Sequence, residues 1–356
     1  MATSIATGAL RPHVAVGVAA LMNLIGAFLS IKVATTIATG IVDAKALTLT
    51  MVFAALIGAI AWNLVTWALS LPSSSSHALV GGVVGAAIGA IGTGAVKGDT
   101  LVEKVIVPAI LSPVIAGLVA IAGTAFAYVM VARLREGDAR RGTASGQIGS
   151  ASLVSPAHGT NDAQKTMGII TLALIAHGNL DADNFTVPLW VKIGVRRRHR
   201  RRHLRGRLAD HQHDGQPPDR DRGPSGVRRR VLGASVILAS SYFGYPLSTT
   251  HVVSGAVVGS GIGKRLASVQ WGTAGQMAGP WLLTIPGAAI IAAAAFEGAD
   301  LFGKGNAGPV IVGLIAAGLA AALYVVTQRT PVRATDLDRS RDDARSDSRT
   351  AVAVAA

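Results

Sequence analysis

Long apolar stretches alternate with short polar segments along most of the chain. A helix needs about 20 apolar residues to cross the hydrocarbon core of a bilayer, so stretches of this length predict transmembrane helices. The pattern predicts membrane helices, or parts of them, at 14–38, 47–71, 78–96, 105–131, 231–245, 252–262, 274–295 and 310–326.

Some of the apolar stretches are too short to cross a bilayer as one helix. They lie at 167–176, 231–245 and 252–262, and the last two are rich in Gly, Ser and Thr. Short, interrupted segments in matching halves of a chain indicate a transporter site made from broken helices. We therefore predict an all-α fold, a polytopic transmembrane helical bundle with broken helices.

An internal repeat supports this prediction. The stretch "PSSSSHALVGGVVGAAIG" runs from Pro72 to Gly89, and "PLSTTHVVSGAVVGSGIG" runs from Pro246 to Gly263. Each copy places a proline, a hydroxyl cluster and a histidine before a glycine-rich apolar helix, in the same register and without a gap. A duplicated membrane unit is typical of transporters, so we expect both copies to converge on one site.

The hydroxyl cluster of each copy stands where a helix is predicted to begin. The side chains of Ser74 to Ser76 and of Thr249 to Thr250 can cap the two helices by accepting hydrogen bonds from the first N–H groups. The same N–H groups and the positive end of the helix dipole also suit an anion, so a binding site is the second interpretation. We interpret His77 and His251 as hydrogen-bonding residues at helix starts rather than as catalysts.

A second polar motif, "SPAHGTNDAQKTMGII" from Ser155 to Ile170, directly precedes an apolar stretch. Ionisable side chains within membrane segments are costly and are usually functional. Asn161 and Asp162 offer oxygens to a cation, or a carboxylate to a proton. Lys165 offers positive charge to an anion, or a partner to Asp162. The alternative interpretation is a loop that ends at a charged helix N-terminus.

Composition and charge exclude several classes of protein. Charged residues make up 15% of the chain, whereas soluble domains have about 25%. The net charge of +14 is local, because thirteen arginines and four aspartates in 195–230 supply nine of those charges. A nucleic-acid partner is therefore not predicted. The chain has no cysteine for disulfides or thiolate chemistry. It shows no metal-ligand cluster or nucleophile–base arrangement, so we predict neither an enzyme nor a cofactor.

Through these two motifs the chain resembles the inorganic phosphate transporter (Pit/PHO4) family, over about 1–194 and 231–327. The resemblance implies a plasma-membrane secondary transporter of two inverted repeats. It would carry inorganic phosphate, free or as metal–phosphate, coupled to protons or sodium. The lipid bilayer and phosphate are its implied partners, and a homo-oligomer is compatible with it. The substrate-binding residues implied are Ser75, Ser76, Asn161, Asp162, Gln164, Lys165, Ser248, Thr249 and Thr250, with Asn161 and Asp162 also at the coupling ion.

The resemblance also divides the chain into segments. We predict a first membrane repeat at 1–134, a cytoplasmic basic loop at 135–154, the second repeat at 155–194 and 231–327, an arginine-rich segment at 195–230 and a disordered tail at 328–356. The chain begins inside the first half's counterpart of the second polar motif. We therefore expect the acidic and amide residues of that half, and the helix before them, to be missing.

The arginine-rich segment stands where the resemblance implies a transmembrane helix. Arginine at the centre of such a helix costs about 2.5–3.5 kcal/mol on the insertion scale, so this segment cannot form it. When a permitted coding of 209–226 is read one base later, it yields a peptide similar to the family's sequence. We therefore interpret 195–230 as out of frame, disordered and outside the bilayer. A basic loop that binds anionic lipid is the alternative, and sequencing of the coding DNA separates the two.

Two other functions are compatible with the sequence. A transporter of a related oxyanion such as sulfate would share these motifs, and competition by sulfate would identify it. A non-transporting membrane scaffold would bind without flux, although the polar residues in membrane segments argue against it. Because a helix and part of the first motif are absent, we expect the chain as written to be inactive in transport.

Overall fold

The computed structural model describes residues 12–131, 156–157, 159–192, 224–263, 271–303 and 305–329. Every regular element in those ranges is helical, and their β-type pairing is limited to an isolated bridge between Val42 and Val96. The predicted all-α fold is therefore confirmed.

The helices follow the order of the predicted apolar stretches. The α-helices are α1 (Pro12–Leu29), α2 (Lys32–Thr35), α3 (Leu49–Ala68), α4 (Ser75–Ile91), α5 (Gly98–Leu101), α6 (Val107–Val131), α7 (Gln164–Ala176), α8 (Pro224–Phe243), α9 (Thr249–Gly263), α10 (Trp271–Asp300) and α11 (Ala307–Arg329). Within the described residues, three π-helical turns adjoin them, at Thr36–Gly40 after α2, Val102–Ile106 before α6 and Gly159–Ala163 before α7, and a 3₁₀ turn lies at Thr93–Ala95.

Four helical runs in the described residues are long and apolar enough to cross a membrane. They are Leu49–Ala68, Gly98–Ala125, Met277–Asp300 and Ala307–Thr327. A fifth results if Leu21–Leu29 and Lys32–Gly40, which meet at a bend of 65°, form one span. The predicted transmembrane bundle is therefore confirmed, and the predicted helix at 14–38 is broken rather than continuous.

Both copies of the internal repeat begin after a break in the helical chain. The residue two positions before the repeated proline is left-handed in each copy, with φ of 55° at Ser70 and 81° at Gly244. A left-handed residue ends a helix by turning the backbone out of the helical path. The short segments of the pattern are therefore separate helices, α8 and α9, as the interrupted apolar pattern predicts.

The repeated helix of the first copy, α4, packs against α10, which follows the second copy. Gly81 and Gly85 bring the two backbones together. A Cβ atom at either position would overlap the carbonyl of Ile285 or Ala289, respectively. Small residues allow membrane helices to approach closely, and dispersion contacts then hold them.

The repeated helix of the second copy, α9, makes the reciprocal contact with α6, which follows the first copy. Here Gly255 and Gly259 approach the carbonyls of Pro113 and Gly117. These glycines occupy the same repeat positions as the two in α4, so the copies are related in packing as well as in sequence. Each repeated helix therefore pairs with the helix that follows the other copy.

Residues up to Val312 form one compact unit, and the chain from Gly313 forms a second, whose described part is the remainder of α11. The largest core cluster among the described residues joins α2 and its π turn, α3, α4 and α7 through apolar side chains that include Ile37, Val80 and Leu172. This core positions α4 and α7, whose first turns carry the polar motifs.

The arginine-rich segment differs from its prediction at its C-terminal end. Helix α8 begins at Pro224, so the end of the segment is helical here rather than disordered. Arginine is a good helix former, and a run at a helix end can extend its charges beyond the apolar part. Residues 193–223, the predicted loop at 135–154 and the tail beyond Arg329 lie outside the described residues.

Candidate functional site

A π-helical turn presents the second polar motif. The turn Gly159–Ala163 runs directly into α7, and α1 packs against it. A π turn widens the helix, and such turns recur at functional sites. Asn161 is fully buried in this turn, whereas the Asp162 side chain is 41% exposed.

Lys165 lies one turn further along and connects three segments of the chain. Its ammonium donates to Asp162 Oδ1 at 3.0 Å, to the carbonyl of Leu247 at 2.7 Å and to Ser76 Oγ. An ammonium has three N–H groups, so each has an acceptor within the protein. Lys165 therefore joins α4, α7 and the loop before α9. Of the two roles predicted for it, the structure places it as the partner of Asp162.

Asn161 contacts the same loop. Its Nδ2 donates to the carbonyl of Leu247 at 3.0 Å, so that carbonyl accepts from two residues of the motif. Its Oδ1 is buried, and no group among the described residues hydrogen-bonds it. An unsatisfied buried acceptor costs about 1–3 kcal/mol, so a bound ligand or water would stabilise it.

Gln164 also combines a structural contact with an unused polar atom. Its Oε1 accepts from the backbone N–H of Val33 at 2.9 Å. Val33 lies in the first turn of α2, where backbone N–H groups have no acceptor within the helix. Gln164 therefore caps α2 from another part of the chain. Its buried Nε2 has no hydrogen-bond partner in the described part of the structure.

One serine in each repeat copy caps its helix. Ser74 Oγ accepts from the His77 N–H at 3.2 Å, and Ser248 Oγ accepts from the His251 N–H at 3.3 Å. The capping interpretation is therefore confirmed for Ser74, and Ser248 makes the same cap in the second copy. The sequence did not predict Ser248 as the cap, although it stands three residues before the histidine, as Ser74 does, at the spacing from which a cap reaches the third N–H of a helix.

Ser74→Ala and Ser248→Ala are each expected to lower the free energy of unfolding by about 1 kcal/mol, because each removes the cap of a buried helix start. Chemical denaturation in mixed micelles measures the change. Ser75→Ala is the matched control, since Ser75 is exposed and directly follows the cap. Equal stabilities for the Ser74 and Ser75 variants would contradict the capping assignment.

The other predicted hydroxyl residues differ in exposure. Ser76 is buried against Lys165, Ser75 is exposed, and Thr249 and Thr250 are half-buried. All four lie in the first turn of α4 or α9, where helix N–H groups lack intrahelical acceptors. The two turns therefore add hydroxyls and backbone donors to the space near Asn161 and Lys165.

The two repeated histidines bring the two helix starts together. The ring centroids of His77 and His251 are 4.8 Å apart, and the ring of Trp281 lies 4.2 Å from that of His251. Both histidines are buried, and neither Nε2 has a hydrogen-bond partner within the described residues. The repeat copies thus converge, as predicted. The backbone N–H groups of the two histidines donate to the capping serines, and their rings pack on each other.

This arrangement suits an anion. Two helix starts supply positive dipole ends, hydroxyls and N–H donors. Lys165 and Asp162 form a pair with no net charge, so an entering anion meets no fixed negative excess from them. The described residues contain no group of three His, Cys, Asp or Glu side chains that could hold a metal ion.

A comparison with models of protein families matches this chain to PHO4, the phosphate transporter family. The match covers residues 1–145, 131–196 and 223–292. It leaves out 197–222, the central part of the arginine-rich segment. The match resumes one residue before the start of α8.

Named relatives are similar over most of the chain. A probable low-affinity inorganic phosphate transporter of Mycobacterium bovis is 45% identical over 338 residues, which cover 95% of this chain and 81% of the relative. A protein of the same name from Bacillus subtilis is 38% identical over 303 residues, covering 83% of this chain and 89% of the relative.

One solved structure has the same fold. A structure described as the sodium-dependent phosphate transporter superposes with a TM-score of 0.69 over 85% of this chain and 93% of its own. Its sequence identity of 22% limits the inference to the fold.

Proposed function

This chain belongs to the phosphate transporter family, and from that membership we propose that it is a multi-pass membrane carrier of inorganic phosphate. The observation that carries the proposal is the meeting of the two repeated helix starts, whose histidine rings are 4.8 Å apart, beside Asn161 and Lys165 of the second polar motif. A site between two repeats is the arrangement from which alternating access is built.

The atoms of the site suit protonated phosphate. Helix N–H groups and hydroxyls donate to its oxygens, and its own O–H can donate to the unsatisfied Oδ1 of Asn161. Sulfate has no O–H at neutral pH and cannot satisfy that acceptor. This difference favours phosphate over sulfate. The unsatisfied Oδ1 of Asn161 favours a site that binds a ligand over a scaffold without one.

The membrane location and the ion coupled to transport also belong to the proposal. We propose the plasma membrane as the location and transport coupled to protons or sodium, with Asp162 and Asn161 at the coupling ion. A homo-oligomer is compatible with the proposal. The expectation that the chain as written is inactive in transport stays a prediction, so binding is measured together with uptake.

Asn161→Leu is expected to weaken phosphate binding about tenfold, because it removes one hydrogen bond to a charged ligand with little change in volume. Binding of labelled phosphate to the purified chain measures the effect. Asn184→Leu is the matched control, since Asn184 bonds only to the exposed Asp181 among the described residues.

Competition and uptake complete the test. Unlabelled phosphate should displace the label at lower concentration than sulfate does. Stronger displacement by sulfate would indicate that the chain carries sulfate rather than phosphate. The absence of any saturable phosphate binding would contradict a phosphate site. Uptake into vesicles at the rate of the relatives would overturn the expectation of inactivity and leave the binding site intact.

A further inference from the structure

The Lys165 ammonium lies among oxygens of the kind that bind a hard cation. They are the carboxylate of Asp162, the hydroxyl of Ser76 and the carbonyl of Leu247. Carboxylate, hydroxyl and carbonyl oxygens together make a cation cage when they converge on one point. In this chain the cation at that point is the Lys165 ammonium, which is covalently attached to the protein.

The lysine has no donor left for a ligand. Its three N–H groups are directed to the three oxygens, and its side chain is 6% exposed. Contact with phosphate would require one of these bonds to break. Lys165 therefore acts as a fixed charge that draws the two repeats together, and phosphate takes its hydrogen bonds from other groups.

The ammonium also excludes a second cation from the same oxygens. A free ion that used these three acceptors would meet a like charge at contact distance, beside a lysine side chain that is only 6% exposed. With a neutral side chain at position 165, the same three oxygens could bind a free cation.

We propose that the Lys165 ammonium is a built-in cation that takes the place of a dissociable alkali-metal ion between the repeats, so that phosphate binds without sodium. The inference rests on the proposed function, because it concerns the ion requirement of that same site. It narrows the coupling proposed above, since a sodium ion that moves with phosphate could not use Asp162 Oδ1, which the ammonium occupies.

The first test uses the full, unaltered chain in detergent. Its melting temperature is measured with and without inorganic phosphate, in sodium chloride and in choline chloride of equal ionic strength. Phosphate is expected to raise the melting temperature equally in both salts. A rise that appears only with sodium, or stabilisation by sodium alone over choline, would overturn the proposal.

The second test removes the ammonium that occupies the three oxygens. Lys165→Met keeps the length of the side chain and removes its charge, and it is expected to gain a sodium-specific rise in melting temperature of about 2–4 °C. Lys45→Met is the matched control, because Lys45 pairs with Asp183 at an exposed position and should gain no sodium response. If the Lys165→Met chain folds and its melting temperature does not depend on sodium, these oxygens are not a cation cage.

Two safeguards separate the possible failures. If Lys165→Met does not fold, Lys165→Gln keeps polar contacts, and the unaltered chain alone still decides whether sodium is required. If phosphate stabilises the unaltered chain no more than sulfate does in either salt, the proposed function fails. The sodium response of the position-165 variants then still supports or contradicts the cage.

Discussion

Asp162→Asn is expected to lower the free energy of unfolding by about 1.5–3 kcal/mol, the usual range for a hydrogen bond to a charged group. The substitution keeps the shape of the side chain but leaves the buried Lys165 ammonium with neutral acceptors only. Adding Lys165→Met to Asp162→Asn should recover much of the loss, because no unpaired charge then remains in the site. Denaturation in mixed micelles of the four proteins in this double-mutant cycle measures the coupling.

A surface pair provides the matched comparison for this cycle. Lys45 and Asp183 also form a lysine–aspartate contact, at 2.8 Å, but their side chains are 61% and 67% exposed. Solvent screens such a pair, so its cycle should give a much smaller coupling than that of the buried pair. If the two substitutions at the buried pair were simply additive, the ammonium would not depend on the carboxylate, and the assignment of Lys165 as its partner would be wrong.

Gly85→Ala and Gly259→Ala are expected to cost about 1–3 kcal/mol each, the usual range for overpacking a well-packed interface. A methyl group at Gly85 would overlap the carbonyl of Ala289, and one at Gly259 would overlap that of Gly117. Because the two glycines occupy the same repeat position, the two losses should be similar. Melting temperature and the monodisperse fraction in detergent report them.

Gly279→Ala is the matched control for this packing prediction. Gly279 lies within α10, but an added Cβ there would meet no atom within 4 Å. Alanine is the better helix former by about 1 kcal/mol, so the control should be neutral or slightly stabilised. Full stability of Gly85→Ala would contradict the close approach of α4 and α10.

The apolar pattern predicted the helical fold because membrane spans depend on a local property, the length of an uncharged stretch. Its least accurate element was the first span, at 14–38, which the structure divides by a 65° bend. The bend is stabilised by Gln164, which caps Val33 from more than a hundred residues away. Hydropathy along the chain contains no information about such a partner.

The sequence by itself determined the polar motifs, the repeat and its register, because the repeated Pro, hydroxyl and His pattern lies within single short stretches. Only the tertiary structure decided the partners. It paired Lys165 with Asp162, Ser76 and the Leu247 carbonyl, and it packed each repeated helix against the helix that follows the other copy. Hydrogen-bond acceptors such as a backbone carbonyl are common to every residue. Which carbonyl is used therefore depends on how distant segments pack, and a one-dimensional pattern cannot specify that.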